Sequence, residues 1–131
     1  MDLRDVLQLD RSPQRDGPSA KFFFDANVSC HRLSVVTSVE YRIHDFVKFQ
    51  HDLKEFDRLG RGDAELISDS DTLELRVSSA SHGKVIVKLR LHQDFGAGYE
   101  VTVCCRTELS ALGNWVRSVG DLLLVLEQFD E

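Results

Sequence analysis

The stretch Leu33–Gly60 reads LSVVTSVEYRIHDFVKFQHDLKEFDRLG, and its change of period decides the fold. In its first half Leu33, Val35, Thr37, Val39 and Tyr41 alternate with Ser34, Ser38, Glu40 and Arg42. A period of two with β-branched residues defines a half-buried strand. Phe46, Phe49, Leu53 and Phe56 then recur at steps of three and four, which places them on one helix face. Asp45 stands at the start of that helix, where a carboxylate accepts from free amides and complements the dipole, and Gly60 and Gly62 end it. The opposite face carries Lys48, His51, Asp52, Lys54, Glu55 and Arg58 and is predicted to be wet.

Upstream, Phe22, Phe24, Ala26, Val28 and Cys30 alternate with polar neighbours as a second clear strand. Asp5–Asp10, with Leu7 and Leu9 two apart, reads as a short edge strand, and Arg11–Ser19, with Pro13, Gly17 and Pro18, reads as a loop. Downstream come three hairpins. Ala64 and Leu66 lead through Ser68-Asp69-Ser70-Asp71 to Leu73, Leu75 and Val77. A loop ending at Gly83 leads to Val85, Val87, Leu89 and Leu91, and Gly96-Ala97-Gly98 leads to Tyr99, Val101, Val103 and Cys105. A long helix closes the chain over Glu108–Phe129, with Thr107 as N-cap and Leu109, Leu112, Val116, Val119, Leu123 and Leu126 as its stripe, flanked by Trp115, Leu122 and Phe129. Gly113 and Gly120, seven apart, let it sit close to its support. The predicted order is βββαββββα in one α+β domain. Short turns imply an antiparallel sheet of six to seven strands, with both helices packed on one face. Phe46, Phe49, Leu53, Phe56, Val87, Val103, Leu112, Val119 and Leu123 are the predicted core.

The 131 residues suit one domain, and 16 Lys+Arg against 22 Asp+Glu leave a net charge of -6. That balance argues against attachment to nucleic acid or an anionic membrane by bulk charge, and suits a basic partner if the partner is charged. The charged first ten residues predict no secretory signal, and the longest strongly apolar run, Leu122–Leu126, predicts no membrane span, so a cytoplasmic protein is expected. Cys30, Cys104 and Cys105 have no metal spacing and read as reduced structural thiols.

Other short patterns have local explanations. Arg61-Gly62-Asp63 lies between helix stop and strand and reads as a turn, while Asn27-Val28-Ser29 lies within a strand and reads as a chance glycosylation pattern. Asp69-Ser70-Asp71 fails as a calcium loop because Leu73 takes the next ligand position. His44 and His51 are two helical turns apart, too far to share one ion, and His31, His82 and His92 fall in turns. The chain has no Gly-x-Ser-x-Gly, no phosphate-cradling glycine loop and no activated cysteine, so a protein without catalytic residues, cofactor or metal is expected.

What remains is a surface. If odd positions of the later strands face the helices, Glu74, Arg76, Lys84, Ile86, Lys88, Arg90, Glu100, Thr102, Cys104 and Arg106 line the open face. Simple hairpin pairing brings Glu74 near Lys88 and Arg90 near Glu100, so charge pairs explain part of that face. Phe23, Val36 and Ile86 are apolar residues left outside. The candidate partner-binding set is Phe23, Glu74, Arg76, Ile86, Lys88, Arg90, Glu100 and Arg106, a few apolar anchors within a ring of charge.

Several segments carry a family likeness: Asp45-Phe46-Val47-Lys48-Phe49 with Leu53 and Phe56, Gly62-Asp63-Ala64-Glu65-Leu66, Leu73-Glu74-Leu75, and Gly83-Lys84-Val85-Ile86-Val87. With the closing strand and leucine-rich helix, the chain from Val39 onward resembles the bacterial WapI-type immunity proteins, which neutralise the toxic C-terminal domains of polymorphic toxins. The resemblance implies a binding protein whose partner is a toxin domain, and assigns no contact residue. The competing expectation is a small-ligand-binding or enzymatic α+β domain, which requires a concave apolar pocket with convergent polar groups.

Overall fold

The structure is a computed structural model. It describes the backbone of residues 7–9, 14–15, 21–30, 33–68, 73–93 and 99–127, and the side chains of 39–68, 73–92 and 100–126. The chain is α+β: β1 (Leu7–Leu9), β2 (Gln14–Arg15), β3 (Lys21–Cys30), β4 (Leu33–Arg42), α1 (Ile43–Leu59), β5 (Asp63–Ile67), β6 (Leu73–Ser79), β7 (Lys84–Gln93), β8 (Tyr99–Glu108) and α2 (Leu112–Glu127).

These strands form two four-stranded antiparallel sheets, not one sheet of six to seven strands. β3 pairs along its whole length with β4, and its other edge takes β1 and then β2. The predicted loop Arg11–Ser19 therefore contains a short strand. Leu9 pairs with Ala26 and Gln14 with Phe23, so β1 and β2 are separate pairings along the same edge of β3. The second sheet runs β5–β6–β7–β8 through sequential hairpins. Short connections tie strands 1–4 together and strands 5–8 together. Between the two groups stands the 17-residue α1, which begins where β4 ends and spans about 25 Å, too long a crossing for β4 and β5 to close as a hairpin.

Both ends of α1 follow from its sequence. The Arg42 amide donates to Asp45 Oδ2 at 2.9 Å, and Gly60, in the left-handed region at φ 74°, donates its amide to the Phe56 carbonyl at 2.9 Å. Its buried residues are Phe46, Phe49, Leu53 and Phe56. They share one core with Leu73, Leu75, Val77, Val85, Val87, Leu89 and Leu91 of the sheet and with Leu112, Trp115, Val119, Leu123 and Leu126 of α2. Both helices thus cover the same apolar face of the β5–β8 sheet.

Three local expectations change. β8 continues through Glu108, because Thr107 and Glu108 pair with Val85 and Lys84 in the ladder, so Thr107 does not cap α2. A 3₁₀ turn, Leu109–Ala111, intervenes and α2 starts at Leu112, with 16 residues spanning about 24 Å; Phe129 lies outside the described residues. The stripe of α2 is centred on fully buried Trp115, with Val116 and Leu122 at its margin and Leu109 in the preceding 3₁₀ turn. Val103 is half-buried where burial was expected, since the helices cover the inner strands more fully than edge strand β8. Leu109–Leu126 is, by length and composition alone, apolar enough to cross a bilayer, and much of its apolar side forms the core just described.

Candidate functional site

Seven of the eight candidate residues, Glu74, Arg76, Ile86, Lys88, Arg90, Glu100 and Arg106, fall on the open face of the β5–β8 sheet. Pairing inward of Leu75, Leu89 and Val103 turns their even-numbered neighbours outward. The eighth, Phe23, lies on β3 opposite Glu40, in the other sheet, and its side chain is outside the described residues. Phe23 is therefore not part of this surface.

The face has two halves. At one end Arg90 Nε donates to Glu100 at 2.9 Å and its Nη1 reaches Glu74 at 3.4 Å, so one guanidinium holds two carboxylates across three strands. Glu100, and more weakly Glu74, stabilise the charged guanidinium of Arg90 and raise its pKa. Glu74 faces Arg90 directly, correcting the expected Glu74–Lys88 pair, which is two residues out of register. His92 Nδ1 stands 4.0 Å from Glu100.

In the other half Arg76 and Lys88 face each other directly, Arg106 is diagonal to Lys88, and half-buried Ile86 lies between Ser78 and Arg106. Arg76 is held by Glu65 at 3.1 Å. Lys84 pairs with Glu108 at 3.0 Å, which holds that carboxyl below its ordinary pKa. Lys88 and Arg106 make no ion pair among the described residues. Five cations and five carboxylates share the face (Asp63, Glu65 and Glu108 join Glu74 and Glu100), so it is neutral although the chain carries -6. The alternation of the later strands does not reach Asp63 and Glu65 of β5, and it leaves Glu108 at the start of the closing helix. The outward direction of Asp63 and Glu65 is implied by Ala64 and Leu66, the core residues of β5.

At the edge of the face, an open recess of about 570 Å³ lies where β7 begins and α2 starts, lined by Lys84, Arg106, Thr107, Glu108, Ser110 and Asn114. Cys104 is exposed on the open face and Cys105 half-buried on the opposite one. Among the described residues no three His, Cys, Asp or Glu side chains cluster as metal ligands do. No family model matches the chain, and comparison with curated proteins and with solved structures returns no match.

Proposed function

We propose that this protein is a non-catalytic interaction protein of the immunity type, which neutralises a toxin domain by laying the open face of β5–β8 on it. The observation that carries the proposal is the cationic group Arg76, Lys88 and Arg106 around Ile86. Like charges directly opposite on adjacent strands destabilise a sheet. Elsewhere on this face each cation has a carboxylate, as at Arg90 and Lys84, but Lys88 looks onto Arg76. A partner that brings a carboxylate to Lys88 and an apolar group to Ile86 relieves that repulsion. This is the arrangement of a small apolar anchor with a polar surround. The filled interior, with Phe46, Phe49 and Trp115 fully buried between helices and sheet, also favours a surface over an internal ligand site. The likeness of residues 39 onward to WapI-type immunity proteins supplies the partner class: a bacterial toxin domain, bound in the cytoplasm.

Co-expression with the C-terminal domain of the toxin encoded beside it tests this reading. Rescue of growth and co-elution on size-exclusion chromatography are expected, with Arg76→Glu and Lys88→Glu each weakening the complex. Absence of both rescue and complex removes the immunity reading for that pair and shifts weight to a ligand-binding domain.

A further inference from the structure

The two edges of the β5–β8 sheet differ. β5 is five residues long, carries Asp63 and Glu65, and packs beside α1. β8 is ten residues long, pairs only with β7 among the described strands, and its centre, Val101-Thr102-Val103-Cys104-Cys105, has no charge and no proline. Short charged edges resist strand addition, whereas long uncharged ones invite it. The layer above β8 is also incomplete. The inward residues from Leu73 to Val77 on β6 and from Val85 to Leu91 on β7 are at most 1% exposed, while Val101, Val103 and Cys105 are half-buried. On α2, Val116 and Gly120 meet Gln50 of α1, and Ser118 and Leu122 lie about 200° further round their respective turns, with Val125 on the same flank. That flank is turned away from α1, which packs beside the opposite edge strand β5, and all three residues are half-buried.

We infer that β8 is the self-association edge of the protein, joining a second copy as antiparallel β8–β8 about a two-fold axis at Val103. In an antiparallel two-fold pair, a residue n places before the axis faces the residue n places after it in the other copy. With Val103 on the axis, Val101 faces Cys105, Thr102 faces Cys104, and Glu100 faces Arg106, twice over by symmetry. The apolar side chains continue the covered face, and each Arg106, without an ion pair within its own copy among the described residues, gains a carboxylate. Moving the axis to Cys104 sets Glu100 against Glu108. Moving it to Thr102 carries Arg106 beyond the strand. Only the Val103 register matches charge as well as face, and it makes one eight-stranded sheet with the helices of both copies on one side.

Sedimentation velocity on the full chain tests the inference without any partner, so its outcome is separate from that of the immunity reading. A species of twice the chain mass is expected. Arg106→Glu or Glu100→Arg, which each turn two attractive pairs into two repulsive ones, is expected to weaken it roughly ten-fold or more, and the double exchange E100R/R106E to restore it. Thr102→Cys gives a second reading that leaves the charges intact. Strands in this register bring position 102 of one copy and Cys104 of the other within disulfide range, so mild oxidation yields a covalent dimer with that linkage on peptide mapping. A wild-type monomer at every concentration, a dimer indifferent to the charge exchange, or crosslinks between other positions overturns the inference.

Discussion

Gln50 of α1 donates its side-chain N–H to the Val116 carbonyl of α2 at 3.2 Å, and a Cβ on Gly120, one turn further on, would lie 3.0 Å from that same Nε2. The missing side chain at Gly120 is what lets the two helices share this hydrogen bond. Gly113 has nothing within 4 Å of its missing Cβ, so only one of the two α2 glycines is a contact residue. Removing a glycine from a helix interior gains about 1 kcal/mol. Gly113 lies in the first turn of α2, where only part of that gain applies, so Gly113→Ala is expected to stabilise by up to about 0.5 kcal/mol. Gly120→Ala loses most of that gain by displacing the Gln50 amide, and Gly120→Val is expected to destabilise by about 1–3 kcal/mol. Urea denaturation of the three variants checks the order.

Ser68 closes the β5–β6 hairpin. Its buried hydroxyl accepts from the Leu73 amide at 3.0 Å, and its own amide donates to the Leu73 carbonyl at 2.9 Å. Ser68→Ala leaves the Leu73 amide without its acceptor in a covered position, at a cost of about 1–3 kcal/mol. A change in denaturation midpoint worth less than about 0.5 kcal/mol would show that water replaces the hydroxyl.

The parts legible in the sequence are those set by burial over a few neighbouring residues. Phe46, Phe49, Leu53 and Phe56 are all buried, as are the odd positions from Leu73 to Val77 and from Val85 to Leu91. What was not legible depends on which distant segment an element meets. Thr107 suits an N-cap and a strand equally, and pairing with Val85 decided for the strand. Val116 and Trp115 are about 100° apart on one helix, and contact with α1 turned Trp115 inward. Phe23 alternates like the outward residues of the later strands, yet it belongs to a different sheet. On the open face, parity was correct while register was wrong at Glu74, because the β6–β7 hairpin sets Glu74 against Arg90 and nothing in the alternation fixes that offset.

Tyr41 is fully buried, its ring centroid 5.0 Å from that of Phe46. Burial, and then the nearby Asp45 carboxylate, push its phenol far above the ordinary value. The folded chain holds this proton more tightly than the unfolded chain, in which tyrosine titrates near pH 10. The contribution to stability is complete below about pH 10 and declines as pH rises above it. Denaturation midpoints measured from about pH 9 to 11 are expected to fall, and Tyr41→Phe to reduce that slope. Equal slopes in both proteins would exclude Tyr41 as its source.

Lys88 offers a test in which stability and function move in opposite directions. It is exposed, it faces Arg76 across the β6–β7 pair, and it has no ion pair among the described residues. If the residue served only the sheet, replacing it would cost nothing and a carboxylate there would be preferred. Lys88→Glu places a carboxylate opposite Arg76 and is expected to stabilise the isolated protein by about 0.2–1 kcal/mol. The same change removes a cation from beside Ile86 and, on the proposed function, is expected to weaken the proposed complex with a toxin domain, mainly through faster dissociation at physiological salt. Residues kept for binding at some cost to the fold behave in this way. Lys88→Ala separates the two effects: it relieves the repulsion without offering a new pair, so a smaller gain in stability and a smaller loss of binding are expected. Calorimetric unfolding of the free protein, set beside dissociation rates for the complex, gives both quantities. Unchanged dissociation in Lys88→Glu would move the binding surface away from this half of the sheet, whatever the change in stability.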